Sequence, residues 1–252
     1  MNVVKAVALT SVAMALSSAI PAMAEGGHWG YTGHGGPKEW GGLDPAFATC
    51  KLGKHQSPID IHGAKAADLP AIQFDYKPSP LKVIDNGHTI QVNYAPGSTI
   101  DVGGSKYELL QFHFHHPSEE KVNGKAHAMV AHLVHKNADG KLAVVAVLLD
   151  KGGSSEVIDA IWKNLPKEKE KEKEVAVANV TIDVSKLLPA NRGYYAFEGS
   201  LTTPPCSEEV RWLVLKAPVK IGSEQVAAFG KLYPMNARPT QPLNGRALQA
   251  SK

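Results

Sequence analysis

The chain is poor in cysteine: Cys50 and Cys206 are the only two among 252 residues. A metal site built from cysteines alone is thereby excluded, because thiolate zinc sites need three or four. Neither sign of charge dominates. The formal net charge of +3 is too weak a bias to point to nucleic acid or to a polybasic membrane contact. No apolar run reaches the ~20 residues that a membrane span requires. There is no internal repeat and no domain linker, and helical periodicity is confined to two short segments. A hydrophobic fraction of 43% with 20% charged residues nonetheless suits a folded globular body rather than a disordered chain.

The first 24 residues read as an export leader. Met1 to Lys5 carries one positive charge, Ala6 to Ile20 is uncharged and mostly apolar, and Ala22-Met23-Ala24 has the small-x-small pattern of a cleavage site. The expectation is a signal peptide over 1–24 and a single mature domain over 25–252, periplasmic or secreted. In an oxidising compartment Cys50 and Cys206 would pair, with two buried free thiols as the alternative.

Residues 25 to 57 are rich in Gly, Trp, His and Pro without sustained period, and read as an irregular N-terminal wrap. Beyond Ile59, runs with period-two alternation recur: Thr89 to Tyr94, Leu110 to His116, Met129 to His135 and Val177 to Val184. Leu142 to Leu149 is continuously apolar, as a strand buried on both faces would be. Asn123-Gly124 and Asp139-Gly140 mark turns. Ser155 is placed to cap one short helix carrying Val157, Ile158, Ile161, Trp162 and Leu165, and Ser223 a second carrying Val226 and Phe229. Lys167 to Glu174 alternates Lys and Glu and reads as a solvated surface excursion. The chain is therefore mainly β.

Eleven histidines are present, and three define a geometry. In Gln111-Phe112-His113-Phe114-His115, strand alternation turns His113 and His115 to one face and both phenylalanines to the other. An antiparallel return after Asn123-Gly124 brings His132 opposite the pair. Three neutral imidazoles suit zinc, and a three-ligand site leaves a position open for water. Such a site predicts hydrolytic or hydration chemistry. By itself His-x-His is a weak signal, and two exposed strand histidines are the competing explanation.

The motifs around it are more specific. Gln111-Phe112-His113-Phe114-His115, Ser118-Glu119, His132-Leu133-Val134-His135 and Ser200-Leu201-Thr202-Thr203-Pro204-Pro205 resemble the alpha-class carbonic anhydrases. So do His28-Trp29-Gly30-Tyr31, Gln56-Ser57-Pro58-Ile59-Asp60, Asn86-Gly87-His88 and Arg211-Trp212. The matches run in order from about His28 to about Arg246, and the leader with two cysteines is similar to the exported bacterial type.

This resemblance implies one Zn²⁺ per chain on His113, His115 and His132, and reversible hydration of CO₂ to bicarbonate and a proton. Thr202 would accept a hydrogen bond from zinc-bound hydroxide and donate its own proton to Glu119, turning the nucleophile toward substrate. The Thr202 N–H, with Thr203 beside it, would hold a CO₂ or bicarbonate oxygen. Val134, Val144, Leu201, Val210 and Trp212 match the apolar wall that takes CO₂, and His88 matches the proton shuttle. Gln111 and the backbone near Asn236 match the acceptors for His113 and His115. One departure stands out: the family pattern has Glu two residues before the third ligand, where this chain has Val130. His132 must find another acceptor, a carbonyl or water being the expected substitutes.

The fold implied is a large, twisted, mainly antiparallel sheet of about ten strands with short peripheral helices. No nucleic-acid partner and no membrane span is expected, and a homodimer is left open. Two rivals are a catalytically silent binding module on the same fold and a zinc-storage protein. Loss of a ligand histidine would signal the first and several weak zinc sites the second.

Overall fold

The computed structural model of the protein describes residues 28–166 and 173–252. The leader and most of the Lys–Glu run lie outside the described residues. At the edge of that run, Glu174 accepts the Asn93 amide at 2.8 Å and pairs with Lys82 at 3.2 Å. No described helix is long and apolar enough to cross a membrane.

Among the described residues, strand-forming alternation builds a thirteen-stranded sheet and a small three-stranded one. The central part of the larger sheet runs Ile90–Asn93, Ser105–His115, Met129–Lys136, Leu142–Lys151, Glu208–Leu215 and Tyr194–Ser200 in spatial order. Most pairs are antiparallel. Leu142–Lys151, however, pairs parallel with both Glu208–Leu215 and Val219–Ile221, and Gln249–Ser251 pairs parallel with Lys65–Ala67. The sheet is therefore mixed. The Leu142–Lys151 strand has Met129–Lys136 on one edge and Glu208–Leu215 followed by Val219–Ile221 on the other, and its apolar stretch from Ala143 to Leu149 is buried on both faces, as its lack of alternation requires.

The two faces carry different cores. One holds Phe112, Phe114, Ala131 and Leu133 with the two helices packed over them. Phe114 meets Trp162 at 5.1 Å and Phe229 at 6.1 Å between ring centroids. Phe114 and Phe229 are fully buried and each contributes about 1.5–3 kcal/mol in transfer terms, while Trp162 is partly buried beside them. The other face holds Val130, Val134, Val144, Val210 and Trp212, and it is this face that carries the histidines.

Both expected helices form. Ser155 caps Glu156–Lys163 by accepting the Ile158 N–H. The second helix differs from expectation at its start. Ser223 is its first residue, and Gly222 occupies the cap position in extended backbone. Gln225 Oε1 accepts the Gly222 N–H at 2.8 Å, and its Nε2 donates to Ser155 O at 2.8 Å. One amide thus ties both helix starts together, and Ser223 is left exposed. The N-terminal wrap is more ordered than its sequence period suggests, with short turns of helix at Gly33–Gly35, Trp40–Leu43, Pro45–Phe47 and Thr49–Leu52.

Cys50 and Cys206 form a disulfide across 156 positions. Joining segments so distant removes loop-closure freedom from the unfolded chain, with a ceiling on the order of 4–5 kcal/mol. The Cys50→Ser, Cys206→Ser double variant should melt on the order of 10 °C lower. Thermal unfolding followed by circular dichroism checks this, and an unchanged midpoint would show that the bond is dispensable.

Candidate active site

Strand register brings the three histidines together. His132 pairs with His113 and Val130 with His115 across the Ser105–His115 and Met129–Lys136 strands. Alternation puts all three rings on one face. His115 and His132 are buried and His113 is partly so. One ligand atom from each lies within 4.8 Å of the others, a group that could hold a metal ion.

Hydrogen bonds fix each ring's tautomer. His113 Nδ1–H donates to Gln111 Oε1 at 2.8 Å, and His115 Nδ1–H donates to the Asn236 carbonyl at 2.7 Å. Their Nε2 lone pairs are thereby turned to the shared centre. His115 Nε2 is buried without a hydrogen-bond partner. The His132 ring is used the other way round. Its Nε2–H faces the two oxygens of Glu120 at 3.0 and 3.2 Å, leaving Nδ1 toward the centre. The expected carbonyl or water partner for His132 is therefore corrected: a carboxylate three residues beyond Pro117 takes the place left by Val130. Val130 itself is fully buried among Ile59, Ile61, Ala146 and Leu148.

Burial shapes the charges. It holds the His113 imidazolium down at about 3, with His132 adding to the effect. Burial likewise pushes His115 well below its ordinary value, helped by the neighbouring imidazoles. Both rings are thus neutral at neutral pH and present lone pairs. At His132 burial also pulls downward, but the charge and hydrogen bond of Glu120, with Glu119, outweigh it and raise the value.

Glu119, in the run Ser118-Glu119-Glu120-Lys121, is a buried group rather than the surface acid its neighbours suggest. Burial raises its carboxyl to about 7. Oε1 accepts the Arg238 backbone N–H at 2.7 Å, and Oε2 lies 3.4 Å from His115 Nε2. The neighbouring Thr202 hydroxyl lowers the same carboxyl's value, while Glu119 Oε2 is buried and makes no hydrogen bond. Ser57 and Ser200 hold the Thr202 loop in place. Each hydroxyl accepts the other's backbone N–H, at 2.9 and 3.1 Å, and Trp212 Nε1–H donates to Ser200 O at 3.0 Å. A Cβ on Gly199 would meet Ser57 Oγ at 2.1 Å, so only glycine admits this contact. Thr203 O accepts the Cys206 N–H at 2.8 Å, which anchors the loop beside the disulfide.

Val134, Val144, Val210 and Trp212 form one buried wall, with Leu201 packed at its margin. The Trp212 ring lies 4.9 Å from that of His132, so the wall adjoins the histidine centre. His88 stacks on Trp29 at 3.7 Å, nearly parallel, and Asn86 Oδ1 accepts the backbone N–H groups of His88 and Thr89.

Three features escaped the sequence reading. The Asn236 side chain, not only its backbone, is structural: Nδ2 donates to His88 O and Phe114 O at 3.0 Å, and Oδ1 accepts the His116 N–H at 2.7 Å. Arg238 is buried, donating to Ser57 O and Cys50 O while lying over the Trp40 ring. Glu120 is the third. Both Asn236 and Arg238 meet partners more than a hundred residues away, a separation that no local motif encodes.

Comparison with known proteins agrees with this geometry. A family model described as eukaryotic-type carbonic anhydrase matches residues 35–252. A carbonic anhydrase of Neisseria gonorrhoeae is 45% identical over 244 residues, covering 95% of each chain. One from Nostoc sp. is 44% identical over 231 residues, covering 90% of this chain and 87% of the relative. The alpha-carbonic anhydrase of Thermovibrio ammonificans, solved with the inhibitor sulfanilamide, superposes with a TM-score of 0.84 at 43% identity, covering 90% of this chain and all of that one. With a model match over most of its length and relatives at 44% and 45% identity, the chain belongs to the eukaryotic-type, or alpha, carbonic anhydrase family.

Proposed function

We propose that the chain catalyses reversible hydration of CO₂ to bicarbonate and a proton with one zinc ion held by His113 Nε2, His115 Nε2 and His132 Nδ1. One observation carries this reading: three ring nitrogens face a common centre while each ring's far nitrogen is committed to its own acceptor. The donor set fits zinc, since neutral imidazoles are its usual ligands and His115 Nε2 is otherwise an orphaned buried atom. Zinc held there would bring the pKa of a coordinated water to ~7.

The chain's own residues supply the rest. Glu119 has one oxygen committed to Arg238 and can use the other to accept the Thr202 hydroxyl proton. A threonine hydroxyl that donates to Glu119 has only lone pairs left for the reacting centre, so it accepts a hydrogen bond there and orients the nucleophile. The Thr202 N–H, with Thr203 beside it, holds an oxygen of the substrate. CO₂ is uncharged and accepts hydrogen bonds weakly, so the wall of Val134, Val144, Leu201, Val210 and Trp212 suits it better than a polar pocket would. The disulfide, together with the leader pattern, favours work in an oxidising compartment after export.

His88 relays the proton out. An imidazole can take up and release a proton around neutral pH, which is what a relay needs. His88→Ala should lower kcat on the order of tenfold at low buffer, less than general acid–base groups usually contribute because water and buffer also take the proton. The ratio kcat/KM for CO₂ should be unchanged, because proton export follows hydration, and imidazole buffer should restore kcat. Stopped-flow hydration kinetics test both steps. An unaltered kcat in His88→Ala would assign the relay elsewhere, and no hydration by zinc-loaded chain would refute the function itself.

A further inference from the structure

We propose that Glu120 is the positioning residue that turns His132 toward the metal and keeps the metal from leaving; the inference rests on the zinc site proposed above. The geometry points to it in three ways. First, both Glu120 carboxylate oxygens address the same atom, His132 Nε2, at 3.0 and 3.2 Å. Second, Glu120 has no exposed surface. A buried carboxylate is costly unless a donor compensates it, and the hydrogen bonds described for this side chain all go to His132. Third, the backbone holds the carboxylate in place: Ser118 Oγ–H donates to Glu120 O at 2.7 Å, and the next two residues pair parallel with Asp60 and Ile61.

The consequence follows from the tautomer. A neutral imidazole carries one N–H. Committing it to Nε2 places the lone pair on Nδ1, the atom 3.8 Å from Glu119 Oε2 on the reacting side. Consecutive carboxylates thus bracket one ring, Glu119 on its inner side and Glu120 on its outer side. Rotating or flipping His132 would break the Glu120 bonds and leave a charge buried without a partner. A charged acceptor on the far nitrogen also makes a histidine more basic as a ligand.

The position of Val130 explains why the carboxylate arrives from the loop. Val130 and His132 lie on the same face of one strand, and Val130 is packed among apolar side chains continuous with the Val134–Val144 wall. An acid from position 130 would have to enter that layer. Delivering it from position 120 leaves the layer apolar and still satisfies the ring.

The test uses the full zinc-loaded chain and Glu120→Gln, with zinc release timed by a chromophoric chelator. Loss of an outer partner of this kind typically weakens metal binding 10–100-fold. Release from Glu120→Gln should accelerate by about that factor while the far-ultraviolet circular dichroism and melting point of the metal-free protein stay near those of the parent. The His132 Nε2–H proton resonance, moved downfield by a carboxylate, should shift upfield. A folded Glu120→Gln that releases zinc at the parent's rate would overturn the inference. If Glu120→Gln does not fold, Glu120→Asp carries the test, because it keeps the charge but draws the carboxylate back from His132 Nε2: faster zinc release from the folded Glu120→Asp supports the positioning role, and release at the parent's rate contradicts it. A parent chain that takes up no zinc would instead refute the metal site itself, so the two failures are distinct.

Discussion

His115→Ala will abolish zinc binding and CO₂ hydration together. His115 is 1% exposed, and its Nε2 faces the other two rings with no partner of its own. Removing it leaves a two-imidazole site, which water must complete. The resulting loss of affinity should exceed the 10–100-fold that removing a mere outer partner causes. The substitution also leaves the Asn236 carbonyl without its donor, a cost of about 1–3 kcal/mol. The fold survives that cost because Asn236 keeps its side-chain bonds to His88 O, Phe114 O and the His116 N–H. Elemental analysis of the purified variant, set beside stopped-flow hydration, checks the prediction. Tight zinc with full activity would remove His115 from the ligand set.

Thr202→Val will leave zinc in place and slow turnover by on the order of 10²- to 10³-fold. Valine matches threonine in shape, so the loop held by Ser57, Ser200 and the disulfide has no steric reason to move. What disappears is the hydroxyl proposed to join Glu119 to the reacting centre. Losing one oriented hydrogen-bonding partner of developing charge costs about 2.7–4 kcal/mol in comparable sites. The effect should fall on kcat and kcat/KM alike, because the orientation matters in the transition state. Unchanged kinetics would mean that Thr202 is a loop residue and that the nucleophile is oriented by something else.

How far the sequence alone reveals these arrangements depends on how local each one is. His113, His115 and His132 were legible because strand alternation and a single hairpin return set their geometry. The same alternation separated Phe112 and Phe114 into the opposite core. Gln111 was legible only through the family resemblance, which matched it to the acceptor that His113 finds. Glu120 was not, because an acid between Glu119 and Lys121 looks solvated. Only the folded contact of its two oxygens with His132 Nε2 shows that it reaches the ring left without an acceptor by Val130. The one available signal was the pairing of a missing acid at 130 with a spare one at 120. The helix start at Gly222 was misjudged by one residue because the deciding group, the Gln225 amide, also serves the neighbouring helix at Ser155. Arg238 carried no local pattern at all. Its burial depends on Trp40 and on two carbonyls nearly two hundred positions away.

Zinc-dependent activity measured by stepwise titration tests the central claim most directly. Metal-free chain, prepared with a chelator, is given zinc in increments, and CO₂ hydration is measured at each step. The account predicts that activity rises linearly and stops at one zinc per chain, with the break at the same point for bound metal and for rate. Activity that does not depend on zinc, or one tight zinc bound without any hydration, would contradict it. The second outcome would leave a metal-binding module on a carbonic anhydrase fold.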